Sequence, residues 1–201
     1  MLLRNIREEK RRLRARCKKQ RAACPPDVKQ RLDEALTERV LALDEYKSCR
    51  TLFVFVSTPI ECDTHRLINR AFADGKRVAV PRCSNKSGEM EFYYISSLDD
   101  LRPGMFSLSE PDPEICERAT GGAGDLCIVP GLCFDCEGYR VGFGKGYYDR
   151  FLEGFTGVTA GICYRKFVFR ELPRGANDKP TDILVTDKYS NRMVDKRCMN
   201  D

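Results

Sequence analysis

The chain has 201 residues, 42% of them hydrophobic, and a formal net charge of +5, enough apolar material for one core and an expected single domain over 1–201. No apolar run approaches the length of a membrane span and the N-terminus lacks an apolar secretory segment, so a cytoplasmic protein with no membrane partner is expected. The eleven cysteines are odd in number and run from Cys17 to Cys198 beside a single histidine, which argues against a disulfide framework or a zinc site and for reduced core thiols, Cys133 and Cys136 included.

The positive charge belongs to one segment. Residues 1–23 carry ten Lys or Arg against two Glu, leaving the rest of the chain at −3. From about Leu2 to Ala23 there is no Pro or Gly, and Cys24-Pro25-Pro26 ends the run, which predicts one exposed helix. Glu8, Glu9 and the lack of serine argue against a transit peptide. Lys10 and Arg14 share a face, with Arg7, Arg11, Lys18 and Arg21 nearby. Like charges at that spacing repel, so the face is open to three uses: plain solvation, a triphosphate lying across it, or nucleic acid.

Asp27 can cap a second helix from Val28 to about Tyr46, with Leu32, Leu36, Val40, Leu41 and Leu43 as its apolar stripe. Thr51 to Val56 is apolar on both faces and suits the centre of a parallel sheet. The loop Ser57–Asp63 follows, with Glu61 and Asp63 ahead of a helix from His65 to Ala73 capped by Asp63 or Thr64. Ligands of open α/β sheets bind outside the carboxyl ends of the strands, which favours a ligand for Glu61.

Arg77–Val80, ended by Pro81, completes a βαβ unit, and Met90–Ile95 is a further strand. Leu98–Gly124 reads as a long connection with little regular structure, and Leu126–Pro130 as a short buried strand. Beyond it lies a glycine-rich loop with glycines at 138, 142, 144 and 146, and then a helix from Tyr147 to Phe155 with Tyr148, Phe151, Leu152 and Phe155 on one face. Missing Cβ atoms let backbone approach a ligand, and the helix N-terminus offers N–H groups and positive dipole to a phosphate, beside the Lys145 ammonium. The loop is no Walker P-loop, since five residues separate Gly138 from Gly144-Lys145 and Gly146 stands where Ser or Thr would hold magnesium. Nor is it a dinucleotide fingerprint, being too long. Val158–Cys163, the apolar segment Lys166–Leu172 and a closing strand within Lys179–Asp187 follow, then a charged surface tail. The elements predict an α/β fold, a three-layer α/β/α arrangement around a mainly parallel, Rossmann-like open sheet.

Pro130-Gly131-Leu132, Phe134-Asp135, Gly138, Arg140, Gly142, Gly144, Gly146 and Tyr147-Tyr148-Asp149-Arg150 resemble the signature of the 5-formyltetrahydrofolate cyclo-ligases, with Phe143 where an Arg often lies. The resemblance extends to Lys10 and Arg14, to Glu61, Asp63 and Thr64, to Gly104–Pro113, and to the closing strand. It implies ATP-dependent ring closure of 5-formyltetrahydrofolate by a magnesium-using monomer that binds no nucleic acid. Lys145 and Arg140 would be catalytic. ATP would be held by Lys10, Arg14, Arg140, Gly142, Gly144, Lys145, Gly146, Tyr147 and Tyr148. The folate would meet Val56, Glu61, Phe143, Gly144, Lys145, Gly146 and Tyr147, and Mg²⁺ would meet Asp149 and Asp182. The alternatives are a nucleic-acid binder using the basic helix and a relative that binds folate or nucleotide without turnover.

Overall fold

The computed structural model describes residues 2–83, 89–104 and 108–193. Cys198, most of the expected tail and part of the 104–113 segment lie outside them. Helix α1 (Leu2–Ala22) leads to α2 (Pro26–Ala42) and α3 (Asp44–Ser48). The single helix expected over 28–46 is thus two, because Leu43 between them is extended, at φ −61° and ψ 138°, and packs its side chain on the core. Strand β1 (Thr51–Val54), helix α4 (His65–Ala73) and β2 (Arg77–Cys83) form the expected βαβ unit, with β1 and β2 parallel. Strand β2 does not stop at Pro81. Its register with β1 runs out at Phe53 opposite Ala79, and from there it continues as a one-sided strand against β3 (Met90–Ile95), where proline is tolerated.

The connection read as irregular contains a hairpin, β4 (Leu101–Pro103) with β5 (Ser109–Pro111), and a two-residue strand β6 (Arg118–Ala119). Strand β7 (Leu126–Val129) is as expected. The long loop after it is also partly ordered into β8 (Cys133–Asp135) and β9 (Arg140–Val141), an antiparallel pair, ahead of α5 (Tyr147–Gly154). Strand β10 (Val158–Ile162) follows, then β11 (Val168–Phe169) pairing β8, β12 (Ile183–Val185), and β13 (Ser190–Arg192), which puts an antiparallel edge strand where only a tail was expected.

The main sheet has the order β13-β12-β10-β7-β1-β2-β3-β6, parallel from β12 through β2. Alternation along β1 and β7 makes the three layers. Leu52, Val54, Leu126 and Ile128 join Leu36 and Val40 of α2 and Leu67 and Ile68 of α4 in one core. Phe53, Cys127 and Val129 face the other way with Phe92, against Tyr148, Phe151 and Phe155 on and beside α5. Phe92 and Phe151 sit with ring centroids 4.5 Å apart, and Phe53 meets Phe92 edge-on at 5.2 Å. Among the described residues no helix is long and apolar enough to cross a membrane, and the cysteines are free thiols.

Helix α1 is less exposed than its charge suggests. Cys17 is fully buried, and the Arg21 guanidinium is carried into the core, where it donates to the carbonyls of Gly131, Leu132 and Ile60 and lies 4.8 Å from the Phe167 ring centroid. A second buried polar knot is Asp33 of α2. It accepts from Lys29, from the Tyr164 hydroxyl at 2.5 Å and from the backbone N–H of Asp63 at 2.9 Å, fixing the loop after β1.

Asp63 and Thr64 are the local organisers expected of them, by a different geometry. The Thr64 hydroxyl donates to the Phe55 carbonyl at 2.6 Å, while Asp63 holds the His65 ring at 2.8 Å. That hydrogen bond pulls Asp63 down to about 2 and raises His65. The stabilisation is therefore complete between roughly pH 4 and 6.5, is lost on the acid side as Asp63 protonates near 2, and is lost on the alkaline side as pH passes the raised histidine value. Both side chains are more than a third exposed, so the contribution stays under about 1 kcal/mol. His65→Gln is expected to lower Tm at pH 5 more than at pH 8, which thermal unfolding across that range checks; an equal loss at both would contradict the pairing.

Candidate functional site

A cleft of about 860 Å³ opens at the carboxyl ends of β1, β2 and β7, lined from one side by α1 and from the other by the β4–β5 hairpin. This is the edge where an open parallel sheet exposes strand-end loops to a ligand. Its lining includes Lys10, Arg14, Val56, Glu61, Arg140, Phe143, Lys145, Tyr147, Tyr148 and Asp149 with the glycines 142, 144 and 146. The structure therefore brings together every residue assigned to ATP or folate from the sequence. Asp182 is the one it leaves out.

The glycine-rich turn runs from β9 into α5. Gly144 has φ +98° and Gly146, the residue capping α5, has φ +71°, a left-handed backbone that a side chain would strain. At Gly144 the space is also taken, since a Cβ would lie 3.1 Å from the Arg14 guanidinium carbon. Arg14 donates through Nε to the Gly142 carbonyl at 2.9 Å, and Lys10 pairs with Asp178. Lys18 stands 5.0 Å from the Phe143 ring centroid. Helix α1 thus reaches over the turn and contributes cations to the mouth of α5, whose first-turn amides and dipole favour an anion. The Lys145 side chain is on the exposed crest of this turn, and its carbonyl accepts from Arg150 at 3.0 Å.

Arg140, on β9, is almost wholly buried. It donates to the Lys179 carbonyl at 2.7 Å and to Asp149 Oδ1 at 2.9 Å, from a side chain 4% exposed against 29% for Asp149. Burial pulls its pKa down and Asp149 opposes that pull, so the guanidinium, with its very high starting value, stays charged. In the same cleft, after β1, Glu61 Oε2 accepts from the Thr58 N–H and hydroxyl, each at 2.8 Å, and burial pushes its pKa up. The Tyr148 hydroxyl is buried with no hydrogen-bond partner among the described residues, and burial raises its pKa as well.

Asp182 precedes β12, at the amino end of the parallel strands and so at the opposite edge of the sheet. Its Oδ2 accepts from the Thr159 N–H at 2.8 Å and the Thr159 hydroxyl at 2.7 Å. This corrects the expectation that it joins Asp149 around a metal; its role is to lace β12 to β10. Among the described residues no cluster of three His, Cys, Asp or Glu could hold a metal ion. The CxxC cysteines also separate, Cys133 fully buried on β8 and Cys136 exposed. The cleft gains Glu110, Asn177 and Asp178, which the sequence reading passed over. Glu110, between Ser109 and Pro111, lies in a stretch without periodicity, and only the pairing of β4 with β5 reveals its position.

Comparison with known proteins agrees with this geometry. A family model described as the 5-formyltetrahydrofolate cyclo-ligase family matches residues 6–187. The chain is 29% identical to the Mus musculus 5-formyltetrahydrofolate cyclo-ligase, with 90% of this chain and 94% of that one aligned. It is 31% identical to a probable 5-formyltetrahydrofolate cyclo-ligase of Schizosaccharomyces pombe, over 76% and 82% of the two chains. The NMR structure of Aquifex aeolicus 5,10-methenyltetrahydrofolate synthetase superposes with a TM-score of 0.82 at 34% identity, covering 94% of each chain.

Proposed function

The chain belongs to the 5-formyltetrahydrofolate cyclo-ligase family, and from that premise we propose that it converts 5-formyltetrahydrofolate and ATP to 5,10-methenyltetrahydrofolate, ADP and phosphate. The observation that carries the reading is that four cations suited to a polyphosphate, Lys10, Arg14, Arg140 and Lys145, line one cleft together with the buried Glu61.

A formyl amide resists attack because nitrogen donates into the carbonyl and oxide leaves poorly. Transfer of the γ-phosphoryl group to the formyl oxygen removes both obstacles. The O–P bond forms as the bond to ADP breaks, N10 then attacks the formyl carbon, and the C–O bond breaks with phosphate leaving together with the proton that N10 gives up. Such chemistry asks the protein mainly for alignment and charge compensation. Arg14 and Lys10 hold the ATP tail over the turn, the backbone N–H groups of 142–147 meet its oxygens, Lys145 and Arg140 offset charge where the phosphoryl group passes, and Glu61 with Val56 holds the pterin. Phe143 and the Tyr147 ring supply apolar walls.

Asp149 fits magnesium on the chemistry of its donors, since Mg²⁺ keeps water and takes one or two carboxylates together with substrate phosphates. When bound, the ion supplies charge neutralisation and fixes phosphate oxygens. Asp149→Asn is expected to raise the magnesium concentration for half-maximal rate by about tenfold. Asp182→Asn should leave that dependence unchanged and instead cost about 1–2 kcal/mol of stability through its two Thr159 bonds. A magnesium titration of both variants decides between the two carboxylates.

The same cleft argues for a small-molecule polyanion over a nucleic acid. Lys10 and Arg14 line the cleft itself, beside the glycine turn, where a compact polyphosphate can meet both cations and the first-turn amides of α5 together. On this reading the protein works as a cytoplasmic monomer. The test is purified protein with 5-formyltetrahydrofolate and MgATP, followed by absorbance for the methenyl product and by ADP release. Absence of both would refute it.

A further inference from the structure

The cleft contains a second buried carboxylate that the reaction above does not use. Glu110, at the centre of β5, is 6% exposed and lines the cleft. Its Oε1 accepts the Cys83 N–H at 3.2 Å, at the end of β2, and among the described residues no lysine or arginine pairs with it. A carboxylate taken out of water without a cation is tolerated only where N–H or O–H donors meet it, and a ligand can bring such donors. The hairpin is shaped around this group. A Cβ on Gly104 would lie 2.4 Å from Glu110 Oε2, so a side chain at 104 would push the carboxylate from its place.

The sheet order puts Glu110 on the other side of Glu61 from the phosphate turn. The phosphate turn and α5 follow β7, Glu61 follows β1, Glu110 packs on the end of β2, and these three strands are neighbours in that order. A 5-formyltetrahydropterin carries its N5 formyl group and its C4 carbonyl on one edge, N8–H on the opposite edge, and the N3–H and 2-amino donors at one end. With N5 turned to the phosphate turn, N8–H faces away, toward β2. The C4 carbonyl then arrives on the side of α5, where the buried Tyr148 hydroxyl has no partner among the described residues.

We infer that Glu110 accepts a hydrogen bond from N8–H of the pterin and thereby selects reduced folates over fully oxidised ones. The inference rests on the cyclo-ligase reading. In a fully oxidised pterin N8 is a bare acceptor, and a carboxylate that can only accept is repelled by it; in a tetrahydropterin the two are complementary.

Calorimetric binding of 5-formyltetrahydrofolate and of folic acid to the full chain and to Glu110→Gln tests this, with ATP affinity measured alongside. The wild type is expected to prefer the reduced ligand. The glutamine amide can donate to a bare N8, so Glu110→Gln should weaken the reduced ligand and strengthen folic acid, with the preference falling by about tenfold or more. Loss of fold would weaken both. Gly104→Ala displaces the same carboxylate from outside the ligand and should weaken 5-formyltetrahydrofolate while ATP affinity is kept. If Glu110→Gln retains the wild-type preference while turning over 5-formyltetrahydrofolate, the inference is wrong and the cyclo-ligase reading stands. Absence of turnover in the wild type would overturn the reading and the inference with it.

Discussion

Replacing Lys145 by methionine is expected to lower kcat by about 10³-fold with Tm unchanged, because the ammonium is needed only while charge moves between ATP and the formyl oxygen. Its side chain is on the exposed crest of the turn between β9 and α5, lining the cleft, so the methionine stem loses no core packing. With ATP and folate in the cleft the ligands themselves would cover the ammonium, and a charge taken out of bulk water acts more strongly on the transferring group. Single-turnover formation of ADP isolates the step, and a loss smaller than about tenfold would remove Lys145 from the transfer. Arginine at 145 should recover only part of the rate, since a planar guanidinium presents its charge differently from a compact ammonium.

The largest expected loss of stability is at Arg21. Its guanidinium is almost sealed from solvent and donates to Gly131 at 2.8 Å, to Leu132 at 3.0 Å and to Ile60 at 3.3 Å, between the rings of Tyr164 and Phe167. Arg21→Met keeps the stem and orphans those carbonyls, and unsatisfied buried acceptors cost about 1–3 kcal/mol each. A total of roughly 3–5 kcal/mol is expected, or a Tm lower by about 6–15 °C for a chain of this size. Urea unfolding followed by circular dichroism measures it; a loss below about 1 kcal/mol would show that water reaches those carbonyls and replaces the guanidinium. The carbonyls belong to the loops after β7 and β1, so the variant should also weaken ATP and folate binding together.

What the sequence disclosed follows from which signals are local. The β1–α4–β2 unit, β7, and the turn from Gly142 into α5 were readable because apolar periodicity and glycine spacing are set within a few residues of each other. The β8–β9 pair escaped because strands of three and two residues, buried on both sides, carry no period. From the sequence Arg21 is one more cation on the basic face of α1, since nothing next to it in the chain hints at carbonyls more than a hundred residues away. Asp182 shows the converse. A motif match put it beside Asp149, while its carboxylate is engaged by Thr159 at the other edge of the sheet. Glu110 needed the β4–β5 pairing before its burial could be seen.

The docking of α1 has a consequence for biosynthesis. This helix is synthesised well ahead of its anchors, since Gly142 and Asp178 are made 128 residues after Arg14 and 168 residues after Lys10. A nascent chain therefore carries an undocked cationic helix until those residues are made, and seating it closes long loops at an entropic cost. An ATP molecule bridging α1 and the turn would fasten two segments far apart in the chain to each other, so that nucleotide supply tunes how long a finished molecule resists proteolysis.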